Sequence, residues 1–94
     1  MSELTRNCVL RLAPGCRFST AADPQDNLLL IPEGALRLKG PSRAILELCN
    51  GERPLDELVQ ELARRYPPEQ AARIESETHA FVAQMRDRGI LEVV

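Results

Sequence analysis

The run Leu28-Leu29-Leu30-Ile31-Pro32-Glu33-Gly34 constrains the fold more than any other feature of the chain. Four consecutive apolar residues suit a buried strand and fall far short of a bilayer span. Pro32 cannot donate to a ladder and Gly34 can adopt positive φ, so the strand has to stop and turn there. Downstream, Ala35 to Lys39 alternates, with Leu36 and Leu38 inward and Arg37 and Lys39 outward. Upstream, Cys16 to Thr20 places Cys16 and Phe18 on one face, and Asp23-Pro24-Gln25-Asp26-Asn27 supplies turn residues between the two strands. The pattern predicts a small three-stranded antiparallel sheet. Before it, Cys8 to Leu12 alternates and Pro14-Gly15 turns, which allows either an arm or a short edge strand. Residues 1–15 are expected to form an N-terminal arm, and residues 16–94 the folded domain.

Helical periodicity takes over after Gly40-Pro41. Ala44, Ile45, Leu48 and Cys49 fall on one face of a first helix opened by Pro41, and Asn50-Gly51 suits its end. Pro54 opens a second helix in which Leu55, Leu58, Val59, Leu62, Ala63 and Tyr66 form the apolar face. A third helix is expected from about Pro68 to Arg88, roughly 30 Å long, with the stripe Ala71, Ile74, Thr78, Phe81, Val82 and Met85 and with Gly89 as its cap. Ile90 to Val94 is a short extended tail that either docks on the core or adds a strand. Strands followed by helices predict an α+β, winged-helix-like fold: a small three-stranded antiparallel sheet followed by a three-helix bundle.

Composition excludes several function classes. The chain has 94 residues, enough for one modest core and no separate catalytic domain. With no Trp, one Tyr and two Phe, it lacks platforms for stacking bases. Residues 1–43 hold six Arg/Lys and four Asp/Glu, whereas residues 44–94 hold six and ten, so the helical half is acidic. A winged-helix DNA-binding protein fits the element order, but its recognition helix needs the opposite sign. Three cysteines, Cys8, Cys16 and Cys49, form no C-x-x-C, and no apolar signal region follows Met1, so a reduced cytoplasmic compartment is expected.

No catalytic constellation is visible. His79 is the single histidine, which rules out a metal site needing two, and Cys49 lies on an apolar helix face as a small core residue does. The carboxylates of the second and third helices are spaced against Arg64, Arg65 and Arg73 as on an ordinary solvated surface. The five glycines are isolated, so no phosphate-cradling loop exists. The chain reads as a binding module without enzymatic activity or cofactor. An unpaired edge on the third strand would let an extended peptide add as a further strand. The same edge would let two copies pair as a homodimer.

Four segments together resemble the PqqD family, the small peptide chaperones of pyrroloquinoline quinone biosynthesis. They are Leu29 to Gly34 (Leu-Leu-x-Pro-Glu-Gly), Ala44 to Gly51 (Ala-Ile-Leu-x-Leu-Cys-x-Gly), Leu55 to Leu58 (Leu-Asp-Glu-Leu) and Arg86 to Gly89 (Arg-x-Arg-Gly). One departure is Pro54, which stands where the family commonly has a Thr cap. The resemblance implies a leader-peptide recognition element that binds the ribosomally made precursor PqqA between the third strand and the third helix. It also implies presentation of that peptide to the radical SAM enzyme PqqE, which cross-links a Glu and a Tyr. Carried onto this chain, the cleft would be lined by Leu36, Arg37, Leu38 and Lys39 from the strand and by Glu75, Thr78, His79, Val82 and Arg86 from the helix. A recognition element for another modified peptide, such as a lasso precursor, would share the fold.

Overall fold

The computed structural model describes residues 5–19 and 28–94. The expected turn at Asp23 to Asn27 lies outside the described residues. The elements are β1 (Val9–Leu12), β2 (Arg17–Phe18), β3 (Leu28–Ile31), β4 (Gly34–Arg37), α1 (Ser42–Leu48), β5 (Asn50–Pro54), α2 (Leu55–Ala63), a 3-10 turn (Pro68–Gln70), α3 (Ala71–Asp87) and β6 (Leu91–Val93). They make an α+β fold with two three-stranded antiparallel sheets, ordered β5-β1-β6 and β2-β3-β4.

The second of these sheets is the one expected from local pattern. Its third strand is shorter than the alternation suggested, ending at Arg37 rather than Lys39. The first sheet differs from expectation. Val9–Leu12, read as part of an arm or as an edge strand, is a central strand flanked by β5 and β6. Leu10 is 1% exposed and belongs to the core together with Leu55, Leu58, Leu62, Val82 and Leu91. The segment after α1 also departs from the sequence reading. Asn50-Gly51 does stop the helix, with Gly51 at φ +81°, but the same residues open β5. The Asn50 side-chain oxygen accepts from the Glu52 and Arg53 amides at 3.0 and 3.1 Å, an Asx turn that bends the chain into the strand.

The helix ends show how the N- and C-terminal segments are tied in. Pro54, at the N-cap of α2, has no side-chain acceptor to offer. The first two amides of the helix instead donate to main-chain carbonyls of the entering segment, Leu55 to Cys8 at 2.7 Å and Asp56 to Arg6 at 2.9 Å. At the other end of the bundle Gly89 takes φ +78° just beyond α3. Its amide donates to Arg86 and that of Ile90 to Met85, both at 2.9 Å, a Schellman termination with Ile90 buried as the accompanying apolar contact. This turn delivers Leu91–Val93 directly to β1. No helix among the described residues is long and apolar enough to cross a membrane.

Candidate functional site

The first half of the site is the edge of β4. Among the described residues β4 pairs only with β3. Across the Pro32-Glu33 turn, Ile31 and Gly34 are partners, followed by Leu30 with Ala35, Leu29 with Leu36 and Leu28 with Arg37. In a hairpin with a two-residue loop the flanking pair is hydrogen-bonded and pairs alternate from there. Leu36 therefore bonds to Leu29, while the N–H and C=O groups of Ala35 and Arg37 point away from β3 to the open edge. Arg37 and Lys39 are exposed, Leu36 is half-buried against the core and Leu38 is buried.

The second half is a cleft of about 330 Å³ between the helices, and Leu36, Arg37, Leu38 and Lys39, expected to wall it, are not among its lining residues. Its walls are Pro41, Ser42 and Ile45 at the start of α1, Leu62 and Tyr66 at the end of α2, and Ile74, Thr78 and Phe81 on α3, with Gln70, Arg73 and Glu77 at the rim. Arg73 and Glu77 are joined at 3.0 Å across one helical turn. Tyr66, expected on the apolar face of α2, follows the last helical residue, Ala63, and is 39% exposed at the mouth of the cleft. The α1 wall is held to the sheet by Arg43, whose guanidinium lies 4.8 Å from the centre of the Phe18 ring. This is a cation–π contact between α1 and β2.

The residues expected from α3 fall into three groups. Thr78 is 1% exposed and lines the cleft. Val82 is 0% exposed and packs in the core. Glu75 and His79 line a separate shallow depression with Ala72 and Ser76, and Arg86 is half-buried beyond them and pairs with Asp87 at 3.3 Å. Positions 75, 79, 82 and 86 form one helical stripe, whereas 73, 74, 77, 78 and 81 form the flank lining the cleft. Sequence reasoning missed Pro41, Ser42, Ile45, Tyr66, Arg73 and Glu77. A helical projection centred on Phe81 finds Arg73 and Glu77 at i−8 and i−4, but nothing local marks the contribution of α1.

Electrostatics favours an acidic ligand at the strand and gives the thiols unequal reactivity. Among the described residues Arg6, Arg11, Arg43, Arg64, Arg73 and Arg86 form ion pairs, whereas Arg17, Arg37 and Lys39 form none. The Cys8 thiol is held below its ordinary value by hydrogen bonds from the Thr5 side chain and main chain. Burial pushes Cys16 up. Burial also pushes Cys49 up to about 12, and its Sγ donates to the Ile45 carbonyl at 3.3 Å. Among the described residues no three His, Cys, Asp or Glu side chains cluster closely enough to hold a metal ion.

Comparison with known sequences finds relatives. A protein of Azotobacter vinelandii named PqqA binding protein is 32% identical over 93 residues, covering 99% of each chain. Proteins of the same name from Methylococcus capsulatus, 36% identical over 64 residues with 68% of this chain and 69% of the relative covered, and from Rhizobium meliloti, 29% identical over 93 residues with 97% and 92% covered, are also similar. No solved structure matches the chain significantly. The model of the family described as Coenzyme PQQ synthesis protein D (PqqD) matches residues 27–91, from the first residue before β3 to the first of β6. That span contains the open β4 edge and every wall of the cleft, and the chain belongs to the PqqD family.

Proposed function

We propose that this protein is a non-catalytic peptide chaperone that binds a PqqA-type precursor and presents it to the radical SAM enzyme PqqE for Glu–Tyr cross-linking. The observation that carries the reading is a cationic β4 edge, unpaired among the described residues, followed in the chain by an apolar cleft walled from Pro41 onward. An extended leader adds alongside β4, exchanging main-chain hydrogen bonds with Ala35 and Arg37. Arg37 and Lys39 meet its acidic residues, and an apolar side chain enters between Ile45, Ile74 and Phe81. The α3 contribution comes from the Thr78 flank, with Glu75, His79 and Arg86 left for other contacts. In this reading the sheet β2-β3-β4 is the wing of a winged-helix-like domain, and the protein works in the cytoplasm.

Delivery needs no chemistry from the chaperone. Ordering a flexible leader raises the effective concentration of its distal Glu and Tyr at the enzyme. The ordering cost keeps the complex in the micromolar range, about −8 kcal/mol. Titration of isotopically labelled protein with a PqqA-type peptide tests the reading. Saturable amide shifts concentrated at residues 35–39, 41–45 and 73–81 are expected, and Arg37→Pro should abolish them while the remaining spectrum stays folded. Absence of shifts at high peptide concentration, or unchanged binding by Arg37→Pro, refutes strand addition of this precursor.

A further inference from the structure

One polar group in the cleft is unlike the others. Thr78 is 1% exposed and lies between Ile74 and Phe81 on the cleft-lining flank of α3, with Ile45 of α1 and Leu62 of α2 as further apolar walls. A threonine inside a helix ordinarily returns its hydroxyl to a carbonyl one turn back, as the Cys49 thiol does to Ile45. Among the described residues the Thr78 side chain makes no hydrogen bond. No side-chain oxygen there is both without a partner and sealed from solvent, so the Thr78 hydroxyl opens into the cleft that the residue lines. The remaining polar lining groups sit less deeply. Ser42 is half-buried, Tyr66 and Gln70 are exposed, and Arg73 and Glu77 neutralise one another at the rim at 3.0 Å. The buried part of the cleft is therefore apolar, with one uncharged hydrogen-bonding group.

We propose that this hydroxyl selects the anchor side chain of the bound peptide, and that the anchor is an aromatic residue with a polar handle, tyrosine or tryptophan. The inference rests on the peptide-delivery reading above and gives its cleft a chemistry. A volume of about 330 Å³ lies at the small end of sites for organic ligands, roughly 300–1,000 Å³, and has room for a whole aromatic side chain. A carboxylate or ammonium group would leave water for a single neutral hydroxyl, which does not compensate a buried charge. A leucine or phenylalanine would fill the apolar walls, but it would strip the Thr78 hydroxyl of water and offer no partner. Leaving a buried polar group unpaired costs more than a hydrogen bond returns. Tyrosine and tryptophan bury a large ring and carry one O–H or N–H that needs a partner when buried. The threonine oxygen accepts from either. Site and ligand then each satisfy the other's one buried polar group.

Thr78→Val removes the hydroxyl and keeps the shape, and Thr78→Ser restores it. Binding of a PqqA-type precursor is measured by calorimetry on the parent and both variants. The same is done with peptides in which each tyrosine and tryptophan is changed in turn to phenylalanine. One aromatic position is expected whose change to phenylalanine weakens binding to the parent about tenfold. That peptide should lose nothing further on Thr78→Val, and Thr78→Ser should bind the unchanged precursor as the parent does. Thr78→Val should unfold at a temperature no lower than the parent's. Equal affinity of the parent for every phenylalanine peptide overturns the proposal, and this arm needs no variant to fold. A loss in Thr78→Val that is the same for all peptides also overturns it, since Thr78 would then act by packing. A parent that binds no precursor refutes the delivery reading instead. Amide shifts with N-acetyl-tyrosinamide, N-acetyl-tryptophanamide and N-acetyl-phenylalaninamide then decide the chemistry of the cleft alone. Shifts at residues 74–81 that Thr78→Val loses for the first two uphold the anchor, whereas shifts equal for all three, or absent, overturn it.

Discussion

The two sheets are alike in strand number and in the buried leucine of the middle strand, Leu10 and Leu29, and differ in how their strands come together. In β5-β1-β6 the partners are distant in sequence and Arg11 is neutralised by Glu92 at 2.6 Å. In β2-β3-β4 the strands follow one another, and among the described residues Arg17 and Arg37 form no ion pair and β4 has one neighbour. The first sheet draws together segments from the start, middle and end of the chain and closes the helical bundle. The second keeps main-chain groups, charge and apolar surface directed outward. On the proposed reading, structural and binding work are thus separated between the two small sheets.

The largest effect that tests this division comes from truncating one leucine in each sheet. Leu10→Ala should cost about 2–5 kcal/mol, as cavities in close-packed cores do, whereas Leu30→Ala should cost under about 1 kcal/mol, as for surface positions. Denaturant unfolding of the two variants measures the difference, and equal losses would mean that the outer face of β2-β3-β4 is packed as tightly as the core side of β1. A smaller effect isolates the turn that returns the chain to β1. Gly89→Ala forces a Cβ into positive φ, where nothing crowds it within 4 Å, so backbone strain alone is added and costs about 1 kcal/mol. A cost far above that would mean the turn is also packed.

The smallest effect concerns the thiols. Cys8 should alkylate fastest at neutral pH and Cys49 slowest, because the thiolate is favoured at the first and opposed by burial at the second. Raising the folded-state value of Cys49 to about 12 means that its contribution to stability is complete below the ordinary thiol range near pH 9 and is lost as pH rises toward about 12. Cys49→Ala should flatten the decline in stability over that window, read by thermal unfolding at successive pH values. An unchanged slope would show that other groups set it.

What could be read from the sequence follows the same division. The hairpin around Pro32-Glu33, the apolar face of α2 and the Gly89 termination are written in residues within a turn or two of one another, and all three form. The sheet β5-β1-β6 has no local signature, because its partners are brought together only by the fold. Pro54 could be read as a poor cap, but its replacement by carbonyls of Arg6 and Cys8 could not, since any residue presents a carbonyl. On α3 the stripe of core and groove positions was correctly apolar yet could not be divided between them. Ile74 and Phe81 carry the same sequence signal as Val82, and only the neighbouring α1 distinguishes the wall of a cleft from an interior.

The pairing of β1 with β6 has a consequence for synthesis. Arg11 and Glu92 lie 81 positions apart, and at roughly 5–20 residues per second β1 leaves the ribosome about 4–16 s before its partner strand is made. During that interval the β2-β3-β4 edge can already exist, while Leu10 still lacks its β6 partner Val93. The portion of the molecule suited to grasping an extended segment is therefore ready before the portion that stabilises it. A nascent chain of this design meets its greatest risk of grasping another unfinished copy in the seconds before β6 arrives.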